Sequence, residues 1–225
     1  MFFTALVCSS VTFSQDFRAD YKKMQDKYGS LEKFSCKLKV NVSEDQKPAQ
    51  TLNYAMKKSG EDFWYSMDKI KMIVNSNCVL YINDEEKQLV YTVRNKKKEL
   101  PFPSGDLAGA VDTLLKKSDS VVFAGLRDNC KKYIIYSSAG EIIRSEIYIN
   151  NETSLITRVA YHYKHYQERG DIRVDIAYQE MNTAPQFANS EFSEKQYVSY
   201  NRGVARPLGK YSSYQASVVN ENDIK

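Results

Sequence analysis

Gly60 to Thr92 reads GEDFWYSMDKIKMIVNSNCVLYINDEEKQLVYT, four short runs of alternating apolar and polar residues with almost nothing between them. Phe63, Tyr65 and Met67 share one phase; Ile70, Met72 and Val74 follow, then Cys78, Leu80 and Ile82, then Leu89, Tyr91 and Val93. Asp68-Lys69, Asn75-Ser76-Asn77 and Asn83-Asp84-Glu85-Glu86 interrupt the alternation. Period-two runs broken by such residues predict an antiparallel meander. A meander of this kind has one apolar and one wetted face, so it must cover something apolar.

The same pattern continues outward. Before the meander, Cys36, Leu38, Val40 and Val42 alternate with polar residues, as do Leu52, Tyr54 and Met56. After it come Val121 and Phe123, Tyr133 and Ile135, then Ile143, Ile147 and Ile149, then Val159, Tyr161 and Tyr163, and finally Ile172, Val174, Ile176 and Tyr178. This makes about eleven strands joined by short turns. Phe17, Tyr21, Met24 and Tyr28 form one stripe of an amphipathic helix that Gly29-Ser30 ends. Leu107, Val111, Leu114 and Leu115 mark a second short helix over Asp106–Lys117, after Lys96–Lys98 and Pro101-Phe102-Pro103. Neither helix can bury its stripe alone, so both are expected on the sheet. The fold class is therefore mainly β with minor α: one curved antiparallel sheet, curled into a barrel or an incomplete one, with the two short helices against its concave face. Beyond Pro185 the pattern decays, and Gln196–Lys225, rich in Tyr, Ser and Asn, is expected to be irregular or partly ordered.

The 225 residues, 42% of them hydrophobic, suffice for one large all-β domain or two small ones. The domain is expected over 16–192, with a polar extension over 193–225. A net charge of +4 is too even a balance for a nucleic-acid footprint. The start, MFFTALVCSSVTFSQ, is uncharged, apolar and then small and polar, which resembles the end of a secretory signal peptide over 1–15. A positively charged opening is missing from it. Export of a mature chain beginning at Asp16 is the expectation, with a lipid anchor on Cys8 the disfavoured alternative because Val7 stands where a small residue is wanted. Cys36 and Cys78 lie on the apolar phase of their strands, which suits buried thiols; one disulfide among Cys36, Cys78 and Cys130 is the other arrangement.

Little in the chain supports catalysis, so no enzyme is expected. The two histidines, His162 and His165, point to opposite faces of a strand at that spacing and cannot jointly hold a metal. No cofactor motif is present. Gly203–Lys210 (GVARPLGK) lacks the spacing of a phosphate loop, and Arg169-Gly170-Asp171 reads as a hairpin turn. What remains on the inward phase is apolar and adaptable: Leu38, Val40, Leu52, Tyr54, Met56, Phe63, Tyr65, Met67, Met72 and Leu80. Composition alone favours a plain packed core of these residues; the other reading makes them the walls of a ligand cavity, with Phe17, Tyr21, Met24, Leu107, Val111 and Leu114 as its lid. A curled sheet of this size encloses more space than its own side chains fill, and methionines let the wall re-pack around a guest.

These residues resemble the LolA/LolB superfamily of periplasmic lipoprotein carriers. Gly60-Glu61-Asp62-Phe63-Trp64 is similar to the family's strand opening, and Ile73 to Tyr81 to its apolar pair, turn and leucine-aromatic signature. The exit Tyr28-x-x-Leu31-x-x-Phe34 and the Pro-rich entry at Pro101 also fit, so the resemblance covers roughly Asp16 to Phe192. It implies an incomplete antiparallel β-barrel with a lid of short helices over an apolar cavity, in a non-enzymatic, monomeric carrier that shields the acyl chains of lipoproteins or lipids on their way through the periplasm to the outer membrane. An inner-membrane donor transporter and an outer-membrane acceptor would be its partners, with no nucleic acid. In the carrier branch an arginine-proline pair latches the lid; here Met67-Asp68 stands in its place. The family's aspartate-glycine turn is Ser76-Asn77, where Asn would take the left-handed backbone. A structural or interaction component of an envelope assembly, with the same fold and a filled core, is the alternative. A hydrolase with paired carboxylates is a third reading, and the inward positions contain none.

Overall fold

Asparagine side chains build three of the hairpin turns. Asn75 Oδ1 accepts from the backbone N–H of Asn77 at 2.8 Å and of Cys78 at 3.1 Å. Asn83 Oδ1 does the same for Glu85 and Glu86, and Asn150 Oδ1 for Glu152 and Thr153. Such local bonds mimic a backbone turn, which is why this residue type punctuates the strands. Asp128 and Asn129 both have positive φ, at 50° and 57°, the conformation that suits a two-residue hairpin loop. Asn77 is not in the left-handed region expected for it; the Asn75 side chain closes that turn instead.

The computed structural model describes residues 17–45, 47–94, 115–165 and 170–220. Helix α1 spans Phe17–Gly29. Six strands follow: β1 Lys33–Glu44, β2 Gln50–Ser59, β3 Asp62–Met67, β4 Ile70–Val74, β5 Cys78–Asn83 and β6 Gln88–Val93. The second series is β7 Ser120–Arg127, β8 Cys130–Tyr136, β9 Ile142–Asn150, β10 Ile156–Tyr163 and β11 Ile172–Asn182. Three more strands, β12 Val198–Asn201, β13 Val204–Pro207 and β14 Gln215–Asn220, come from the C-terminal extension. Twelve strands form one sheet in the order β14-β6-β5-β4-β3-β2-β1-β11-β10-β9-β8-β7. The sheet is curved but does not close into a barrel. β1 and β11 join the two series, with Val40 opposite Ile176 and Leu38 opposite Tyr178. The fold class is as the alternation predicts: mainly β, an incomplete barrel, with a helix on one face. Of the expected second helix, Leu107, Val111 and Leu114 lie outside the described residues, as do the stretch over 1–15 expected to be a signal peptide, with Cys8, the Lys96–Lys98 run, Pro101 to Pro103 and Arg169.

The stripe of α1 packs on the second series. Tyr21 and Met24 are buried against Tyr133, Ile135, Ile147 and Ile149, and Phe17 meets the Tyr133 ring edge-on at 4.8 Å. A polar clamp sits inside this contact. Asp20, only 7% exposed, accepts from Lys131 Nζ at 2.7 Å and from the Tyr133 hydroxyl. Burial alone would raise the Asp20 pKa, but these two hydrogen bonds and the lysine charges reverse the sign and hold it below the ordinary value.

The meander divides its apolar residues between two faces. Phe63, Tyr65 and Met67 pair with Val74, Met72 and Ile70 on the face that carries α1. The β4–β5 turn is tight: Asn75 N–H donates to Cys78 C=O at 3.0 Å, and Val74 stands opposite Val79. That register puts Cys78, Leu80 and Ile82 on the other face with Ile73, because partners across a ladder share a face and a one-residue change flips the whole strand. Leu89 and Tyr91 follow them as partners of Ile82 and Leu80. Leu80 is therefore not a wall of the helix-side face, as its apolar phase had suggested.

The C-terminal extension covers this second apolar surface. Ile73, Cys78, Leu80, Ile82, Leu89 and Tyr91 are buried with Val198 and Tyr211, and Trp64, Tyr197, Tyr214 and Val218 pack around them. β14 then adds to the sheet edge parallel to β6, Ala216 opposite Leu89 and Val218 opposite Tyr91. Asn75 ties the two together: its Nδ2 donates to Phe192 C=O at 3.0 Å and to Glu194 Oε2 at 2.6 Å. The expectation of an irregular tail is corrected for the described part of it. Its tyrosines carry enough apolar area to fill a sheet face while their hydroxyls stay paired, as Tyr214 does with Asp84 Oδ1 at 3.1 Å. Val204–Pro207 of the GVARPLGK stretch is a strand paired with β12, not a phosphate loop.

Two outcomes follow from this packing. In urea unfolding, Leu80→Ala should cost about 2–5 kcal/mol as a cavity in a closed core, whereas Leu52→Ala, half-buried on the opposite face, should cost less than about 2 kcal/mol. The Asp20 clamp should make stability depend on pH in one direction. A carboxylate with a lowered folded pKa stabilises fully above its unfolded value, near 3.8, and the gain is lost as pH falls through the lower folded value. Acid unfolding of Asp20→Asn should lack that component, measured as a flatter stability profile below the ordinary aspartate range.

Candidate functional site

The helix-side face is built from cross-strand rows. One row runs Tyr178, Leu38, Tyr54, Met67 and Ile70 across β11, β1, β2, β3 and β4. The next runs Ile147, Val159, Ile176, Val40 and Leu52. A third places Cys36, Met56, Tyr65 and Met72 side by side. Of the expected cavity walls, Leu38, Val40, Leu52, Tyr54, Met56, Phe63, Tyr65, Met67 and Met72 thus share one continuous surface.

Burial is graded along it. Cys36, Met56, Phe63 and Met72 are buried with Leu31, Phe34 and Leu155, the part nearest the end of α1. Tyr28, at that helix end, packs on this cluster and on the α1 cluster, and its hydroxyl accepts from Ile156 N–H at 3.2 Å. Leu38, Val40, Leu52, Tyr54, Tyr65 and Met67 are only half-buried. The apolar floor therefore continues past the helix with its side chains partly open. Of the expected lid, Phe17, Tyr21 and Met24 lie on α1 as read.

The polar atoms of this floor are phenolic. The Tyr54 and Tyr65 rings lie 5.8 Å apart. Burial, with Tyr54 beside it, pushes the Tyr65 hydroxyl up to about 12, and burial also raises those of Tyr161 and Tyr178. These groups stay neutral at ordinary pH and serve as hydrogen-bonding points on an apolar wall. The thiols behave alike: Cys36, Cys78 and Cys130 are all free and buried, and burial pushes Cys36 and Cys78 up to about 12. No disulfide joins the three.

Titratable clusters lie elsewhere. The two histidines do not converge: His162 Nε2 is 3.3 Å from Glu146 Oε1, and His165 Nδ1 is 2.9 Å from Asp171 Oδ1. Asp45, His165 and Asp171 bring three potential ligand atoms within 4.8 Å of one another at the strand ends, all on exposed residues. A groove of about 520 Å³ between β6 and the extension is lined by Tyr91, Val93, Glu194, Val198, Tyr200 and Leu208. The Tyr91 and Tyr200 rings stack there at 4.4 Å.

Two parts of the site were not singled out from the sequence. The Asp20–Lys131–Tyr133 clamp holds the helix, in the absence of an arginine at Met67. Its signal was available: Lys131 sits on the same phase as Tyr133 and Ile135, where a lone lysine needs a buried partner. The extension had no such signal, because its apolar residues follow no strict period.

No family model matches the chain, and no curated protein does. Solved structures do resemble it. An uncharacterized conserved protein from Thermus thermophilus is 12% identical, with 90% of this chain and 98% of that chain covered and a TM-score of 0.49. A putative outer membrane lipoprotein-sorting protein domain from Vibrio parahaemolyticus is 7% identical over 80% of this chain and 98% of that one, with a TM-score of 0.35. The chain is also similar to the LolA superfamily protein NE2245 from Nitrosomonas europaea, at 8% identity, 80% and 98% coverage and a TM-score of 0.37.

Proposed function

We propose that the helix-side face binds the acyl chains of lipoproteins or lipids, and that the protein is a non-enzymatic periplasmic carrier or chaperone delivering them to the outer membrane. One observation supports this above the others: Leu38, Val40, Leu52, Tyr54, Tyr65 and Met67 form an unbroken apolar strip that stays half-buried beside a clamped helix. An ordinary core would bury such a strip. A ligand of matching chemistry gains about 0.8 kcal/mol per methylene, so a chain of ~15 methylenes is worth roughly 12 kcal/mol against water. Met67 adapts to the guest, and the Tyr54 and Tyr65 hydroxyls offer hydrogen bonds to its carbonyl end. In this reading Leu107, Val111 and Leu114 complete the lid, and a membrane donor and acceptor exchange the cargo. No bond is made or broken.

The alternative, an envelope component with no cargo, is favoured on β5 and β6, whose outer surface the protein's own extension fills. Native mass spectrometry of protein purified from an envelope fraction separates the two. A carrier should come with lipid or acylated protein, and should lose it on Leu52→Asp, with affinity for a fluorescent fatty acid falling at least ~10-fold, or about 1.4 kcal/mol. A protein that stays empty, or that binds equally well with Asp at position 52, contradicts carriage.

A further inference from the structure

The extension covers the outer face of β3 to β6, but on β8 to β11 that same face carries charge. Glu146 and Asp175 stand in one cross-strand row with Ala160 between them. The rows on either side are cationic. Arg144, His162 and Arg173 form one, and Lys132, Arg158 and Lys39 belong to the other. Both carboxylates are held firmly. Glu146, 4% exposed, takes Lys132 Nζ at 2.9 Å, Arg144 Nη2 and the Tyr148 hydroxyl at 3.0 Å. Asp175 takes Arg158 through Nε at 2.8 Å and through Nη2, and Arg173 Nη2 at 3.0 Å.

The two acids do not balance the array. Burial lowers the His162 pKa and keeps it neutral, so five cations, Arg144, Arg173, Lys132, Arg158 and Lys39, face two carboxylates, an excess of three charges in a chain whose net charge is +4. The neighbouring Lys37 is already paired with Glu180. Asp45 and Asp171 lie beyond the rows, at the strand ends. Arg158 and Arg173 keep 41% of their side chains exposed and Arg144 36%, so guanidinium edges fixed from below by carboxylates remain open above. Arg144 Nε is buried and has no acceptor among the described residues. A guanidinium held in this way is preorganised for a second anion, because its rotamer entropy is already spent.

We infer that this outer face of β8 to β11 docks on an anionic membrane surface, its arginines taking lipid phosphates. Charge complementarity and layout together favour a bilayer over an acidic protein segment. The cations lie in two parallel rows over strands spaced about 4.8 Å apart, which makes a two-dimensional array suited to a lattice of headgroups. At its rim, on the same face, Tyr136 pairs with Arg144 and Val122 with Ile134; these are 41% and 47% exposed. An exposed tyrosine and valine beside a cationic field match the composition of the membrane–water interface.

Flotation of the full chain with phosphatidylglycerol or phosphatidylcholine vesicles tests this. Binding should occur to phosphatidylglycerol only and be lost at high salt. Each cation near an anionic surface contributes about fivefold to partitioning, so Lys39→Gln/Arg173→Gln should bind ~25-fold more weakly. Asp175 keeps Arg158 in that variant, and circular dichroism checks its fold; the salt dependence of the unaltered chain stands as evidence should the variant fail to fold. Equal binding to both vesicles, no binding to either, undiminished binding by the folded variant, or capture of soluble polyglutamate without vesicle binding overturns the inference. The acyl load of the same variant, read by native mass spectrometry, should be unchanged, which separates this face from the proposed cargo site.

Discussion

The Asn75 side chain decides which way half of the meander faces. Its oxygen closes the β4–β5 turn by accepting from Asn77 and Cys78, and its nitrogen donates to the Phe192 carbonyl and to Glu194 at the start of the extension. A turn one residue longer would leave Cys78, Leu80 and Ile82 on the same face as Met72 and Val74. The tight turn sends them to the other side. A buried amide thus creates a second apolar surface and anchors the segment that covers it. A group so placed must keep its partners, since an unsatisfied buried amide costs about 1–3 kcal/mol.

This division explains why the sheet can hold an open apolar strip without collapsing. The outer face of β3 to β6 is a closed core of its own, filled by Val198, Tyr211 and their neighbours. Among the described residues, α1 and the Leu31–Phe34 exit close the helix-side face. Beyond them Leu38, Leu52 and Met67 are left half-buried. The remaining quarter, the outer face of β8 to β11, carries more cations than its two carboxylates balance. Core, strip and charged array are thus assigned by face and by half of the sheet, and the Asp20 clamp fixes the helix against β8 on the inner face.

Most of the architecture was legible in the residues. The phase of Phe63, Tyr65 and Met67, the α1 stripe and the Asn-rich turns each gave the right element, because period and turn chemistry are local properties. Two features were not local. The face occupied by Leu80 depends on whether the turn at Asn75-Ser76-Asn77 spans two residues or three, and alternation is the same in both cases. The extension packs through Tyr197, Tyr211 and Tyr214, whose spacing follows neither a helix nor a strand, so only the surface it meets makes sense of it. Within the proposed site, nine of the ten wall positions share the helix-side face; Leu80, the exception, lies beyond that turn. The clamp partner Asp20 escaped notice because an acid in an amphipathic helix usually faces water.

One face of this sheet is filled by the chain itself, and the other is the proposed seat of an acyl ligand. Methyl-detected NMR with a spin-labelled fatty acid tests it most directly. Paramagnetic broadening should reach the methyls of Leu38, Leu52 and Met67 and spare those of Leu80, Ile82 and Leu89. Broadening at Leu80 and Ile82, or none at Leu52 and Met67 at saturating ligand, would contradict the account.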